Sequence, residues 1–203
     1  TSLSLAPSSG NRFSKKISAR GYGLTIGSHN LVVTLNGRRL NNIDTSGPEI
    51  AGVNINDIER VEITKGSGSV IYGDSAMAGA IHFYTKKNIQ TKISTTSGNY
   101  GVSQTSASVG INDEKIDLNI SLDNSKHDGF HKAATGGVKD KGKQTKSSIG
   151  GTYTTDGGTE ISLDLYRTNS DIRYPNYLSD AQFEADPTGS GSGSRYTYRD
   201  AES

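Results

Sequence analysis

The chain has 203 residues, a formal net charge of +1, 25 glycines and no cysteine or tryptophan. The lack of cysteine excludes disulfide frameworks, thiolate metal sites and cysteine nucleophiles. Because positive and negative charges balance, the composition gives no sign of an extensive basic surface that would bind nucleic acid. No segment approaches the ~20 apolar residues of a membrane-spanning helix. A mean hydropathy of −0.58 is still compatible with membrane β-strands, which alternate apolar and polar residues.

The first half of the chain predicts a compact α+β unit over residues 1–87. Leu31–Leu35 is an apolar run that enters an Asn36-Gly37 turn, which is typical of a tight hairpin with Arg38–Leu40 as its return. Asn56–Arg60 is expected to form a short capped helical turn leading into a strand at Val61–Thr64. Ala80–Thr85 is expected to be the last strand of this unit.

The second half, residues 88–203, predicts antiparallel strands with one apolar and one polar face. Ile116, Leu118, Ile120 and Leu122 alternate with polar residues, and the same period of two returns from Ile161 to Leu165. Strands are therefore expected at about 91–98, 102–110, 115–123, 145–154 and 159–168.

The connections between these strands alternate in length. Residues 112–114 and 155–158 are short turns, whereas 124–144 and 170–194 are long polar loops, an asymmetry typical of outer-membrane barrels. A soluble β-sandwich with two long loops fits the same pattern. Because the smallest barrels have about eight strands, a barrel would need further strands, and the chain is expected to be part of a larger protein.

Three segments, in the same order along the chain as in the family, resemble the plug domain of TonB-dependent outer-membrane receptors. They are Ile17–Gly23, Leu31–Leu40 and Asn56–Lys87, the last containing Ile58-Glu59-Arg60-Val61-Glu62-Ile63-Thr64-Lys65-Gly66. The sequence departs from the family pattern at Asn36, Lys65, Ser67-Gly68 and His82. The resemblance implies an α+β plug domain at 1–87, followed by the first transmembrane strands of a β-barrel of roughly 22 strands.

The same resemblance implies a function and partners. Receptors of this family lie in the bacterial outer membrane and take up scarce ligands such as ferric siderophores, haem or cobalamin, driven by a TonB-type complex of the inner membrane. The expected partners are this complex, a ferric chelate or similar small ligand, outer-membrane lipid and the rest of the barrel. The resemblance also implies that Glu59, Arg60, Glu62 and Lys65 latch the plug to the barrel wall.

Candidate ligand-binding residues lie in the plug and in the last long loop. Arginine suits a carboxylate or an iron chelate because its guanidinium donates two directed hydrogen bonds, and tyrosine covers flat ligands at little entropic cost. The candidates are Arg20, Tyr22, Arg38, Arg39, Asn41, Arg173, Tyr174 and Tyr177. Structural salt bridges, solvated turns and a membrane girdle of tyrosines are the alternative roles.

Other functions have weaker support in the sequence. His127, Asp128 and His131 have the side chains of a metal site at close spacing, but loop histidines are usually only solvated, so neither a metal nor a cofactor is expected. No nucleophilic triad or paired-carboxylate site stands out, so an enzyme is not expected. An outer-membrane attachment module without transport is the remaining alternative.

Overall fold

The structure is a computed structural model. It describes residues 3–8, 11–19, 30–41, 53–66, 72, 76–87, 90–132, 140–175, 177–189 and 197–202. The described residues fall into two compact units. The first takes its residues from Thr1–Ser8 and Ser14–Lys87, and the second from Ser9–Phe13 and Asn88–Ser203.

The first unit is built on a four-stranded mixed sheet. Its strands are β3 (Leu31–Leu35), β4 (Arg38–Arg39), β5 (Ile58–Lys65) and β6 (Gly79–Thr85), in the spatial order β4-β3-β6-β5. β6 runs parallel to β3 and antiparallel to β5. β1 (Leu3–Ser8) and β2 (Asn11–Ala19) form a separate two-stranded sheet.

β3 is the centre of the first unit because all five of its residues are buried. A continuous apolar run is the expected pattern for a strand that is covered on both faces. Leu31 and Val33 pack on one face with Ile17, Ala78 and Ile81. Val32 packs on the other face, with Ala76 and Ala80. The predicted strand is therefore confirmed, and it has apolar layers on both sides.

The turn after β3 has the predicted conformation. Asn36 has φ 50° and Gly37 has φ 82°, the two positive angles of a type I′ hairpin. The Asn36 side chain also donates to the Thr85 hydroxyl over 2.8 Å and accepts from the Thr85 amide over 2.9 Å. The turn is thereby bonded to the end of β6.

The predicted helical turn at Asn56–Arg60 is wrong in its position. A single 3₁₀ turn spans Ile55–Asp57 and is capped by the Asn54 side chain, and β5 already begins at Ile58. The ladder to β6 decides this boundary, because Ile58 pairs with Thr85 and a bulge follows between Ile58 and Arg60. Cross-strand hydrogen bonds thus replace the helical ones that local sequence favoured.

The second unit contains an antiparallel six-stranded sheet whose order follows the chain. Its strands are β7 (Lys92–Gly98), β8 (Val102–Asn112), β9 (Ile116–His127), β10 (Gly142–Thr154), β11 (Glu160–Tyr174) and β12 (Thr197–Glu202). A short helix, α1 (Asp180–Ala185), lies between β11 and β12 and has a capping box formed by Ser179 and Gln182. Across the described segments, no helix is long and apolar enough to cross a membrane.

The five predicted strands of this half are confirmed, but four of them are longer than expected, and β8 continues to Asn112. β9 continues to His127, β10 begins at Gly142 and β11 continues to Tyr174. The predicted loops 124–144 and 170–194 therefore include residues that belong to β9, β10 and β11. The backbone ladder continues there with polar side chains, which give no apolar alternation for the sequence to display.

Candidate functional site: a two-faced sheet and its loop end

One face of the second unit's sheet is apolar and exposed. In register across four strands, Val109 lies opposite Ile120, Ile120 opposite Ile149, and Ile149 opposite Leu165. This apolar face consists of Ile93, Val109, Ile111, Ile116, Ile120, Leu122, Ile149, Tyr153, Ile161, Leu163 and Leu165, with exposures from 45% to 77%. A contiguous apolar face of this extent is typical of a surface that contacts lipid or another apolar partner.

The opposite face of the same strands is polar, and its residues on β9, β10 and β11 are buried toward the end of the sheet that carries the β9–β10 connection. Asp123 accepts a hydrogen bond from the Gln104 amide over 2.7 Å and another from the Ser125 hydroxyl over 3.1 Å. Gln144 donates to the Ser170 hydroxyl over 2.9 Å. Apolar residues outside and polar residues inside reverse the usual arrangement of a soluble sheet, and this reversal is a property of transmembrane barrels. It disfavours the soluble sandwich.

The β9–β10 connection and the β11–β12 connection are bonded to each other at one end of the sheet, which is called the loop end below. Lys132 donates to the Asp186 carboxylate over 2.6 Å, and the Lys132 amide donates to the Thr188 carbonyl over 2.8 Å. The Lys132 ammonium, aided by the Thr188 hydroxyl, lowers the pKa of Asp186 to about 2. Lys132, Asp186 and Thr188 are called the loop clasp below.

A second carboxylate organises the start of the β9–β10 connection. Asp140 is 4% exposed and accepts from the His131 amide over 3.1 Å and from His131 Nδ1 over 2.8 Å. Gly129 has φ 89°, and a Cβ atom there would clash with an Asp140 carboxylate oxygen. Asp140 therefore fixes the chain after β9 as a structural acceptor. Within the described residues, no group of three or more potential metal ligands is present.

Aromatic side chains are exposed at the same end. Tyr100 and Phe130 make an edge-to-face contact with ring centroids 5.3 Å apart, and each ring is at least half exposed. Tyr177 is 90% exposed. Exposed rings of this kind can cover a flat or aromatic ligand at low entropic cost.

The segment Asn11–Phe13 is bonded to the same end of the sheet. Asn11 is fully buried, and its side-chain amide donates to the Arg173 carbonyl over 3.0 Å. Phe13 packs on His127 with ring centroids 5.1 Å apart. His127 is the last residue of β9, not a loop residue as predicted. No periodic pattern in the sequence indicated this attachment.

The candidates of the last loop do not share one surface. Arg173 and Tyr174 are consecutive residues of β11, so their side chains point to opposite faces. The Arg173 guanidinium lies 4.0 Å from the Asp171 carboxylate. A ligand on one face of β11 can thus contact one of the two, whereas Tyr177 is accessible beyond the strand.

Three of the five candidate ligand-binding residues of the first half of the chain lie within the described residues. Arg38 and Arg39 are exposed in β4, directly after the Asn36-Gly37 turn. Both polar groups of the Asn41 side chain bond to the β3 backbone, because its oxygen accepts from Val33 and its nitrogen donates to Leu31, each over 2.8 Å. Arg20 and Tyr22 lie outside the described residues.

The four predicted latch residues lie on β5, an edge strand that is exposed along most of its length. Arg60 donates to Glu62 over 2.8 Å, and its guanidinium lies 3.8 Å from the centre of the Tyr84 ring. The hydrogen bond from Arg60 lowers the pKa of Glu62. Glu59 and Lys65 are exposed on the same strand.

Sequence reasoning missed the residues that hold the loop end together. Lys132, Asp140 and Asp186 lie in polar connections without periodicity. The one local signal was Asp186-Pro187-Thr188, in which the Asp186 carboxylate accepts from the Thr188 amide two residues later.

Comparisons with known proteins agree with this architecture. A family model described as TonB-dependent Receptor Plug Domain matches residues 1–80. The Vitamin B12 transporter BtuB of Vibrio vulnificus (strain YJ016) is 26% identical over 168 residues, which cover 79% of this chain and 27% of that protein. The chain therefore spans about a quarter of this relative's length.

Solved structures share the fold at low sequence identity. The ferric yersiniabactin uptake receptor FyuA from Yersinia pestis has a TM-score of 0.75 at 17% identity, over 97% of this chain and 32% of its own. The unliganded ferric citrate transporter FecA has a TM-score of 0.71 at 15% identity, over 93% and 30%. The copper transporter OprC has a TM-score of 0.67 at 16% identity, over 87% and 27%.

Proposed function

We propose that the chain functions within a TonB-dependent outer-membrane transporter that takes up a ferric siderophore or another iron chelate, because its first 80 residues match the plug domain of TonB-dependent receptors. The observation that carries the proposal is the two-faced sheet, with an exposed apolar face and a polar face that is buried toward the loop end, in a chain whose first 80 residues match the plug domain. The family consists of receptors and transporters, and no catalytic step is part of the proposal.

Within this proposal the chain has two parts. Residues 1–87 form the plug domain and residues 88–203 supply the first strands of the transmembrane barrel. The apolar face lies against outer-membrane lipid, and the rest of the barrel supplies the further strands that close the sheet. Closure is required because an open edge in hydrocarbon would leave backbone groups unpaired.

The long connections are proposed to face the exterior, and the short turns the periplasm. The loop clasp bonds the two long connections to each other, and Tyr177 is exposed in the second of them. The proposed ligand contacts are Arg20, Tyr22, Arg38, Arg39, Asn41, Arg173, Tyr174 and Tyr177.

Energy for uptake is proposed to come from a TonB-type complex of the inner membrane that acts on the plug. β5 is then the strand that latches the plug to the barrel wall through Glu59, Arg60, Glu62 and Lys65. Arg60 and Glu62 already pair with each other, so the exposed Glu59 and Lys65 are the charges that can meet a facing wall directly. Removing one partner of a buried ion pair costs about 3–5 kcal/mol, which makes such a latch effective.

A cobalamin ligand is the second candidate, because the curated relative at 26% identity is a vitamin B12 transporter. The two ligands are distinguished by equilibrium binding of the full-length receptor in detergent to ferric citrate, a ferric hydroxamate, a ferric catecholate, haem and cobalamin. Saturable binding of one iron chelate, at least about tenfold tighter than cobalamin, supports the first proposal. Preferential binding of cobalamin overturns it in favour of the second.

A further inference from the structure

Beyond its apolar residues, the outward face of the sheet carries charged residues, among them two lysines that lie opposite each other. Along β9 and β10 the register on this face runs from Leu122 opposite Ser147, through Asn124 opposite Thr145, to Lys126 opposite Lys143. Both lysines are exposed. They share the face of Leu122 because side chains alternate along a strand, and Lys126 is four residues from Leu122. Lys126 and Lys143 are called the lysine pair below.

The lysine pair lies at the height of a lipid headgroup. Four strand residues span about 13 Å, and a barrel strand tilted by about 40° reduces this to a height of about 10 Å above Leu122. Lysine has a long apolar stem that can lie along a surface while its ammonium reaches a polar layer. If the apolar face lies in hydrocarbon, the two ammonium groups can reach the adjacent headgroups.

A carboxylate, Asp171, lies in register beside the lysine pair but bonds to neither lysine. Directly opposed like charges on one face of a sheet destabilise it. Among the described side chains, neither lysine forms an ion pair or a hydrogen bond. The register partner of Lys143 on β11 is Asp171, whose carboxylate lies 4.0 Å from the Arg173 guanidinium instead. An external anion between the two ammonium groups would remove their repulsion.

Both ends of the sheet carry carboxylates, and at the loop end Asp128 and Asp171 lie near the lysine pair. At the opposite end, the short turns carry Asp113, Glu114 and Asp156, and the Lys115 ammonium there is already bonded to Asp156. Free cations beside the apolar face are thus found at the loop end, where Lys126 and Lys143 lie opposite each other.

We propose that Lys126 and Lys143 together bind the phosphate of a phosphorylated lipid whose acyl chains lie on the apolar face. Two ammonium groups at directly opposed positions can share one phosphate through charge-assisted hydrogen bonds, which are the stronger kind. This proposal rests on the proposed outer-membrane placement. It is independent of which ligand the receptor transports.

The test uses the full-length receptor in phosphatidylcholine nanodiscs that contain either phosphatidic acid or diacylglycerol with the same acyl chains. Native mass spectrometry measures the lipid retained per receptor. We expect phosphatidic acid to be retained in preference to diacylglycerol, and Lys126→Gln or Lys143→Gln to reduce this retention about tenfold each. Lys115→Gln removes the same charge at the opposite end and is expected to leave retention unchanged.

A Lys126→Arg/Lys143→Arg double variant keeps both charges and is expected to retain the lipid. Equal retention of diacylglycerol, or retention unaffected by both glutamine variants, would overturn the proposal. Complete displacement of phosphatidic acid by millimolar inorganic phosphate would also overturn it, since the site would then be one for free phosphate. A receptor that does not insert into nanodiscs contradicts the proposed function itself, which separates that failure from the others.

Discussion

Replacing Ile120 with arginine tests whether the apolar face lies in a membrane. Ile120 is near the middle of this face, opposite Val109 on one side and Ile149 on the other. Ile120 is 45% exposed to solvent. If this face met water, an exposed isoleucine could become arginine at a cost within about 0.5 kcal/mol.

In a bilayer the same substitution lowers the free energy of unfolding of the barrel much more. Arginine on the lipid side of a barrel destabilises it by about 2–4 kcal/mol near the bilayer midplane and by about 0–1 kcal/mol near the interface. Asn124→Arg is the matched control, because Asn124 is on the same face of β9 about 13 Å further along the strand. We therefore expect Ile120→Arg to reduce the folded-to-unfolded ratio roughly 30- to 700-fold, and Asn124→Arg to reduce it by about fivefold or less.

The assay is the guanidinium unfolding of the full-length receptor in phosphatidylcholine vesicles, followed by the heat-dependent shift of the folded form on gels. Both variants are compared with the unmodified receptor at the same lipid-to-protein ratio. Equal midpoints for Ile120→Arg and Asn124→Arg would refute the assignment of this face to lipid.

Three further outcomes are expected in the full-length receptor. Leu31→Ala empties a site that is 1% exposed and should destabilise the first unit by about 2–5 kcal/mol, measured by hydrogen exchange of β3 amides. Gly79→Ala would place a Cβ atom against the Thr64 carbonyl oxygen at φ 130°, and exchange should report β5 separating from β6. Because the pKa of Asp186 is lowered to about 2, the clasp's contribution is full above the ordinary value of 3.8 and lost as pH falls through about 2. Lys132→Met should remove this pH dependence from the hydrogen exchange of amides in the two long connections. The same pH dependence in the Lys132→Met variant would contradict a stabilising role of the loop clasp.

Periodicity in the sequence was sufficient to predict most of the fold. The alternation from Ile116 to Leu122 and from Ile161 to Leu165 identified two strands, because one apolar face requires a period of two. It could not locate the strand ends. His127 and Gly142 continue the ladder with polar neighbours, so the sequence pattern stops before the hydrogen bonds do.

The candidate site was less predictable because its contacts depend on register. Tyr177 was identified as an exposed aromatic residue from its place in a polar loop. The bond between Lys132 and Asp186 joins residues 54 positions apart, and no local pattern pairs them. Likewise, the double hydrogen bond of Asn41 to β3 follows from how the hairpin returns, not from the chemistry of asparagine.

Energy-dependent uptake of an iron chelate can be measured with radiolabelled ferric chelate in cells that express the full-length receptor. Binding and accumulation are measured with and without a protonophore that collapses the inner-membrane potential. We expect the protonophore to abolish accumulation while surface binding is retained. Accumulation that is unaffected by the protonophore, or binding without accumulation in energised cells, would contradict the proposed uptake.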